Sequence, residues 1–147
     1  MKCILICALL LSFIACHKIS DVDMVIKNNT NKNIQIEAFY EKEKMEVIAI
    51  KPFDSYIRPL RYSPEDGPAL RVFKTDLIDS VNIIFDNEKI IIQSCKESNI
   101  LDYCWDVERN ILDYNQYYNY EDLGRKNYKY TYTITKEDYN NAVLIED

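Results

Sequence analysis

The stretch Ser80–Ser94, SVNIIFDNEKIIIQS, decides the fold class of this chain. Two runs rich in β-branched residues flank a polar centre, the composition of paired strands around a turn. A two-residue loop at Asn87-Glu88 or a four-residue loop at Asp86–Lys89 would set Phe85 opposite Ile90. That register puts Val81, Ile83, Phe85, Ile90 and Ile92 on one face, with Asn82, Ile84, Ile91 and Gln93 on the other. A slip of one residue would turn every side chain to the opposite face, so this hairpin is the expected centre of the core.

Working outward, the same period of two recurs. Met24–Lys27 reads as a strand closed by the turn-forming Asn28-Asn29-Thr30-Asn31. Ile34, Ile36, Ala38 and Tyr40 alternate with Gln35, Glu37 and Phe39, the signature of a half-buried strand. Met45–Ile50 follows a charged turn over residues 41–44. Pro59 makes the run around Tyr56-Ile57-Arg58 an edge strand or its end. Ser63–Pro68 is a loop by its turn chemistry, and Ala69–Phe73 a further short strand. Residues 113–127, rich in Tyr, Asn and Asp, carry little periodicity and read as an exposed loop. Tyr128, Tyr130, Tyr132 and Ile134 then share a face. Thr135, with Asp138 three residues on, is placed to cap a short helix over residues 136–142. Val143-Leu144-Ile145 is apolar and is expected to return to the sheet.

Short strands at near-regular spacing, without βαβ alternation or internal repeat, predict a mainly β domain. The expectation is an immunoglobulin-like β-sandwich of about eight strands with a short C-terminal helix; a small open β-barrel is the alternative. With 2 glycines among 147 residues, asparagine is expected to supply many turn conformations, because it tolerates positive φ. A formal charge of −6 without a basic cluster argues against nucleic acid and favours a basic or neutral partner.

The first sixteen residues, MKCILICALLLSFIAC, set Lys2 before an apolar run that ends at Cys16. The run is shorter than the ~20 residues a spanning helix needs and has the plan of a secretory signal. Phe13-Ile14-Ala15-Cys16 resembles the lipobox of bacterial lipoproteins, with Phe13 where leucine is commonest. The resemblance implies a signal peptide over residues 1–15. Cys16 would become the new N-terminus, carrying a thioether-linked diacylglyceryl group and an N-acyl chain such as palmitate. Two or more chains hold a protein at a membrane stably, each buried CH₂ contributing about 0.8 kcal/mol. Residues 16–23 are then the lipidated N-terminus and a tether whose free part reaches at most about 23 Å, and residues 24–147 form a single β domain. Residues 79–95 and 132–142 also resemble a group of short uncharacterised bacterial lipoproteins, which brings export and a small β domain but no activity. His17 and Lys18, in place of an inner-membrane retention aspartate, point to the outer membrane.

Removal of the leader takes Cys3 and Cys7 with it and leaves Cys95 and Cys104. Two cysteines in an exported domain most often pair, and closing that loop would add about 2–3 kcal/mol of stability. No catalytic or metal set is expected. The one histidine, His17, abuts the anchor, the cysteines lack zinc spacing, and no glycine loop cradles phosphate. Asp113-Tyr114-Asn115 opens like a calcium loop, but Tyr118 stands where glycine is required. A glycosidase would need two converging carboxylates, drawn from Asp102, Asp106 and Glu108 or from Asp113 and Asp122; solvated acidic loops are the commoner reading. Asp79-Ser80-Val81 resembles a short bacterial O-glycosylation site over three residues only, and Ser80 opening a strand is the simpler reading.

The expected function is therefore a non-enzymatic, lipid-anchored envelope protein that binds a protein partner or supports an envelope assembly, with no cofactor beyond the lipid on Cys16. The alternative is a glycan-binding module that uses Tyr114, Tyr117, Tyr118 and Tyr120, whose flat faces lie beside amide side chains.

Overall fold

The computed structural model describes residues 20–62, 72–74, 77–94 and 109–146. Its strands are β1 (Ser20–Asn28), β2 (Ile34–Tyr40), β3 (Glu43–Ile50), β4 (Ser55–Tyr62), β5 (Ser80–Phe85), β6 (Lys89–Ser94), β7 (Asn119–Gly124), β8 (Asn127–Ile134) and β9 (Val143–Leu144). Two short helices join them, α1 (Tyr114–Tyr117) and α2 (Lys136–Asn141). The strands form a four-stranded sheet of order β4-β1-β8-β7 and a five-stranded sheet of order β3-β2-β5-β6-β9. Among the described residues no barrel closes, and the architecture is the expected β-sandwich with a short C-terminal helix, nine described strands standing where about eight were expected. β4 lies at a sheet edge, as Pro59 requires.

Alternation builds the core. Val22, Met24 and Ile26 of β1, with Tyr132 and Ile134 of β8, are the inward residues of the four-stranded sheet. They meet Ile34, Ile36 and Ala38 of β2, Ile48 and Ile50 of β3, and Val81, Ile83 and Phe85 of β5 in one cluster. Every second residue faces in because successive strand side chains point to opposite faces. β1 and β8 run parallel, from Asp21 opposite Asn127 to Asn28 opposite Ile134, and form the centre of their sheet.

The central hairpin has a different register from the expected one. Phe85 pairs with Lys89, Ile84 with Ile90, Ile83 with Ile91, Asn82 with Ile92 and Val81 with Gln93. Ile91 and Gln93 therefore share the core face, while Ile90 and Ile92 point outward, Ile92 with 66% of its surface exposed. The cause is the connection: Asp86 and Asn87 both take positive φ, and the Glu88 N–H donates to the Phe85 carbonyl at 2.8 Å. Three residues, not two or four, separate the paired ends, and that odd count turns β6 over.

Asparagine supplies less of the turn conformation than expected. Glu41-Lys42 and Arg125-Lys126 carry consecutive positive φ angles at the β2–β3 and β7–β8 hairpins. Two such angles in succession are what hairpin twist demands. The asparagine that matters most, Asn28, works through its side chain. Its Nδ2 donates to the carbonyls of Lys32 at 2.8 Å and Lys51 at 2.9 Å, and its Oδ1 accepts from the Thr30 N–H and hydroxyl. It thereby joins the loops that follow β1 and β3.

Three further differences have local causes. β1 starts at Ser20, inside the expected tether, because Ser20 and Val22 are buried beside β4. Val72 and Phe73, the described end of the strand expected over 69–73, are buried in a bend, and residues 69–71 lie outside the described residues. Residues 113–127 are not one exposed loop, since α1 and β7 lie within them. The predicted cap is present: Thr135 and Asp138 form a reciprocal capping box at the start of α2. β9 pairs with β6 as expected, while Val143, Leu144 and Ile145 keep their side chains exposed.

Candidate functional site

The four tyrosines expected as a possible ligand surface do not share one exposed face. Asn110, fully buried, starts their segment: its Oδ1 accepts from the Leu112 N–H at 2.9 Å and its carbonyl from the Asp113 N–H at 3.1 Å. This folds the chain inward. Tyr118 is 8% exposed, donates its hydroxyl to the Ile111 carbonyl at 3.1 Å, and lies 5.5 Å from the Tyr132 ring. Burial raises its pKa well above the usual tyrosine value. Tyr132 is likewise pushed up to about 12, chiefly by burial. Tyr114 and Tyr117 are half-buried against the core, Tyr114 edge-on to Tyr130 at 6.2 Å. Of the four, Tyr120 alone is exposed. It stacks on Tyr128 at 5.8 Å and tilts against Tyr130 at 5.2 Å. The exposed aromatic feature is thus a β7–β8 cross-strand stack, which requires knowing that Tyr120 pairs with Tyr130.

Two of the other sequence candidates, Ser80 and Asp122, make local structural contacts. The Ser80 hydroxyl donates to Asp79 Oδ1 at 2.6 Å, and Asp79 Oδ2 accepts the Glu41 N–H at 2.7 Å, so this pair secures the β2–β3 turn. Asp113 is buried, whereas Asp122 is exposed and accepts the Gly124 N–H at 2.8 Å. Asp102, Asp106, Glu108, Cys16 and the expected Cys95–Cys104 disulfide lie outside the described residues. Among the described residues no group of three or more His, Cys, Asp or Glu could hold a metal. No described helix is long and apolar enough to cross a membrane.

A charged junction sits at one end of the sandwich. Lys32 Nζ lies 3.2 Å from Asp86 and 3.0 Å from Glu88, which hold it protonated beyond the ordinary lysine range. Asp86 in turn is held below the usual carboxylate range, mainly by the Asn33 side-chain and backbone N–H groups. Lys32 and Lys89 stand 5.1 and 4.8 Å from the Tyr139 ring centre. These groups satisfy one another and tie α2 to the β5–β6 turn, an arrangement that holds elements together and offers no reactive group.

The surface missed by the sequence reading is the outer face of the five-stranded sheet. The observed register lines up Ala49, Gln35, Ile84, Ile90 and Val143 as one row across all five strands. Val47, Glu37, Asn82 and Ile92 form the adjacent row. Ile92, Val143 and Val47 are exposed, with Ile84 and Ile90 between them. The available signal was the run Ile90-Ile91-Ile92: a strand in which three isoleucines follow one another must turn apolar side chains to both faces. In the middle of the face the Gln35 amide donates to Glu37 at 2.9 Å and Lys44 pairs with Glu37 at 2.6 Å, giving a polar centre-left and an apolar right.

No family model matches the chain, and no curated protein or solved structure is significantly similar to it.

Proposed function

We propose that this chain is a non-enzymatic envelope lipoprotein, anchored through acyl chains on Cys16 in the outer membrane, whose β-sandwich docks a protein partner. The observation that supports docking is the apolar row Ile84–Ile90–Val143 with Ile92 beside it on the outer face of the five-stranded sheet, Val143 and Ile92 exposed and Ile84 and Ile90 half-buried. Soluble domains seldom expose contiguous apolar surface without a partner for it, and an interface is apolar at its centre and polar at its rim. The acidic balance of the chain and Glu37 on the same face favour a partner with a basic or neutral rim. The glycan alternative draws less support, because Tyr118 is buried and Tyr114 and Tyr117 lean on the core.

The test is co-purification of the full chain from crosslinked envelopes, with Ile92→Lys and Val143→Lys as partners to the native sequence. A crosslinked protein that is lost in both variants, while their membrane fraction and thermal midpoint stay unchanged, carries the reading. Recovery of the native chain alone in repeated preparations sinks it. Anchoring is tested separately by Cys16→Ser, which should abolish lipid labelling and release the chain from membranes.

A further inference from the structure

The anchor and the fold together dictate which end of the sandwich meets lipid. Four residue steps separate Cys16 from Ser20, a reach of at most about 14 Å. Ser20 is the first residue of β1 and pairs with Tyr62, while the Asp21 N–H donates to the Lys126 carbonyl at 3.0 Å. The start of β1 is therefore fixed beside the β7–β8 turn, Gly124-Arg125-Lys126-Asn127. A β8 strand of eight residues extends about 26 Å away from that end, so the opposite end, with Lys32 and Tyr139, cannot reach the same surface.

The β7–β8 end has the composition of a membrane contact. Leu123 is 57% exposed immediately before the turn, and the Tyr120–Tyr128 stack lies behind it. Tyrosine favours the headgroup level, where its ring is apolar and its hydroxyl stays wet. Arg125 and Lys126, both exposed and both held at positive φ, form the tip. The neighbouring acids are engaged elsewhere: Asp122 on the Gly124 N–H, Glu121 on Lys129 at 3.4 Å, and Asp21 beside Arg61 at 3.5 Å. Neither Arg125 nor Lys126 makes an ion pair with another described residue. A chain of net charge −6 thus turns two unpaired cations toward the end where its anchor would enter.

We propose that the Leu123–Lys126 turn, backed by Tyr120 and Tyr128, rests on an anionic phospholipid surface. The contact depends on the lipidated Cys16 reading. It orients the sandwich, with β1 rising from the bilayer and the outer face of the five-stranded sheet turned to the side. Arg125 and Lys126 meet lipid phosphates, and Leu123 enters the boundary between headgroups and acyl chains.

The experiment is hydrogen exchange on the full chain, purified with its native lipid and reconstituted in phosphatidylcholine vesicles with or without phosphatidylglycerol. On phosphatidylglycerol, amides of residues 119–127 should exchange at least about tenfold more slowly than in detergent, while the edge strand Glu43–Ile50 is unchanged. A chain that is vesicle-bound but unprotected at residues 119–127 overturns this contact and leaves the anchor standing. A chain that does not join vesicles overturns the anchor and the contact together. Equal protection without phosphatidylglycerol, or protection that survives Arg125→Glu with Lys126→Glu, overturns the assignment to anionic lipid. The expected result for that double variant is retained vesicle binding with protection lost.

Discussion

Arg109 and Asp138 form a forked ion pair, Nε to Oδ1 at 2.8 Å and Nη2 to Oδ2 at 2.9 Å. The same carboxylate accepts the Thr135 N–H at 2.7 Å and so caps α2 while it holds Arg109. Arg109 also donates to the Thr133 carbonyl at 2.8 Å, joining the segment before α1 to the end of β8. Its side chain is partly exposed, which discounts the pair relative to a dry one. Arg109→Ala should cost about 1–2 kcal/mol in urea unfolding, with little recovery in Arg109→Lys because lysine lacks the planar fork. Asp138→Ala should cost more, about 2–3 kcal/mol, since the cap is lost as well. Equal costs for the two alanine variants would separate the cap from the pair.

The hairpin register makes neighbouring residues unequal. Ile92 points to solvent, so Ile92→Lys should shift stability by no more than about 0.5 kcal/mol. Gln93 is 4% exposed, donates to the Arg109 carbonyl and accepts the Ile111 N–H, both at 2.8 Å. Gln93→Ala strands the buried Ile111 N–H, while the Arg109 carbonyl keeps the Tyr132 hydroxyl as donor, and should cost about 1–3 kcal/mol. The reverse order of costs would restore the register in which Ile92 faces the core.

Asn28 should tolerate no shortening. Asn28→Ala takes the amide donor from the carbonyls of Lys32 and Lys51, which keep only the Thr30 hydroxyl at 3.4 Å and the Asp54 N–H at 3.2 Å, and removes the acceptor of the Thr30 N–H. A loss of about 2–3 kcal/mol is expected, read as a lowered urea midpoint with unchanged slope. Asn28→Asp keeps the acceptor to Thr30 and removes both Nδ2 donations, so it should fall between alanine and the native residue only if the Thr30 contacts dominate.

Glu41 and Lys42 occupy left-handed backbone conformations at φ 50° and 70°. Replacing them with Asn-Gly, the pair that suits such a turn, should stabilise the domain by about 1 kcal/mol. A thermal midpoint that does not rise would show that the Glu41 N–H to Asp79 bond depends on the native pair.

Alkali should unfold the domain over a definite window. Tyr118 and Tyr132 have raised pKa values in the folded state, Tyr132 about 12. Groups shifted upward contribute stability that is full below the unfolded value of about 10 and is lost as pH rises through the folded one. Urea midpoints should therefore decline between about pH 10 and 12. Tyrosinate absorbance should show part of the 12 tyrosines ionising only as the fold is lost. Ionisation of all of them near 10 with the fold intact would contradict the burial of these two hydroxyls.

What the sequence discloses is mostly local. The faces of β2, β5 and β8 follow from period-two alternation, and the Thr135–Asp138 box follows from a three-residue spacing. The flip of β6 does not, because Gln93 is welcome in the core only when Arg109 and Ile111 arrive from beyond the hairpin. Alternation alone judged isoleucine the better core residue and chose the wrong face. The burial of the tyrosine segment is not legible for a similar reason: Tyr118 packs against Tyr132, a contact that no spacing within residues 113–127 encodes. The apolar outer row is likewise a product of register across five strands.

The parallel seam between β1 and β8 has a consequence for how the molecule comes into being. Its two halves lie roughly a hundred residues apart in sequence, and closing so long a loop is slow and costly before any contact rewards it. β1 has only β4 to pair with until β8 is made, and β7 pairs only with β8. Half of the sandwich therefore waits, during synthesis, for residue 134 to leave the ribosome.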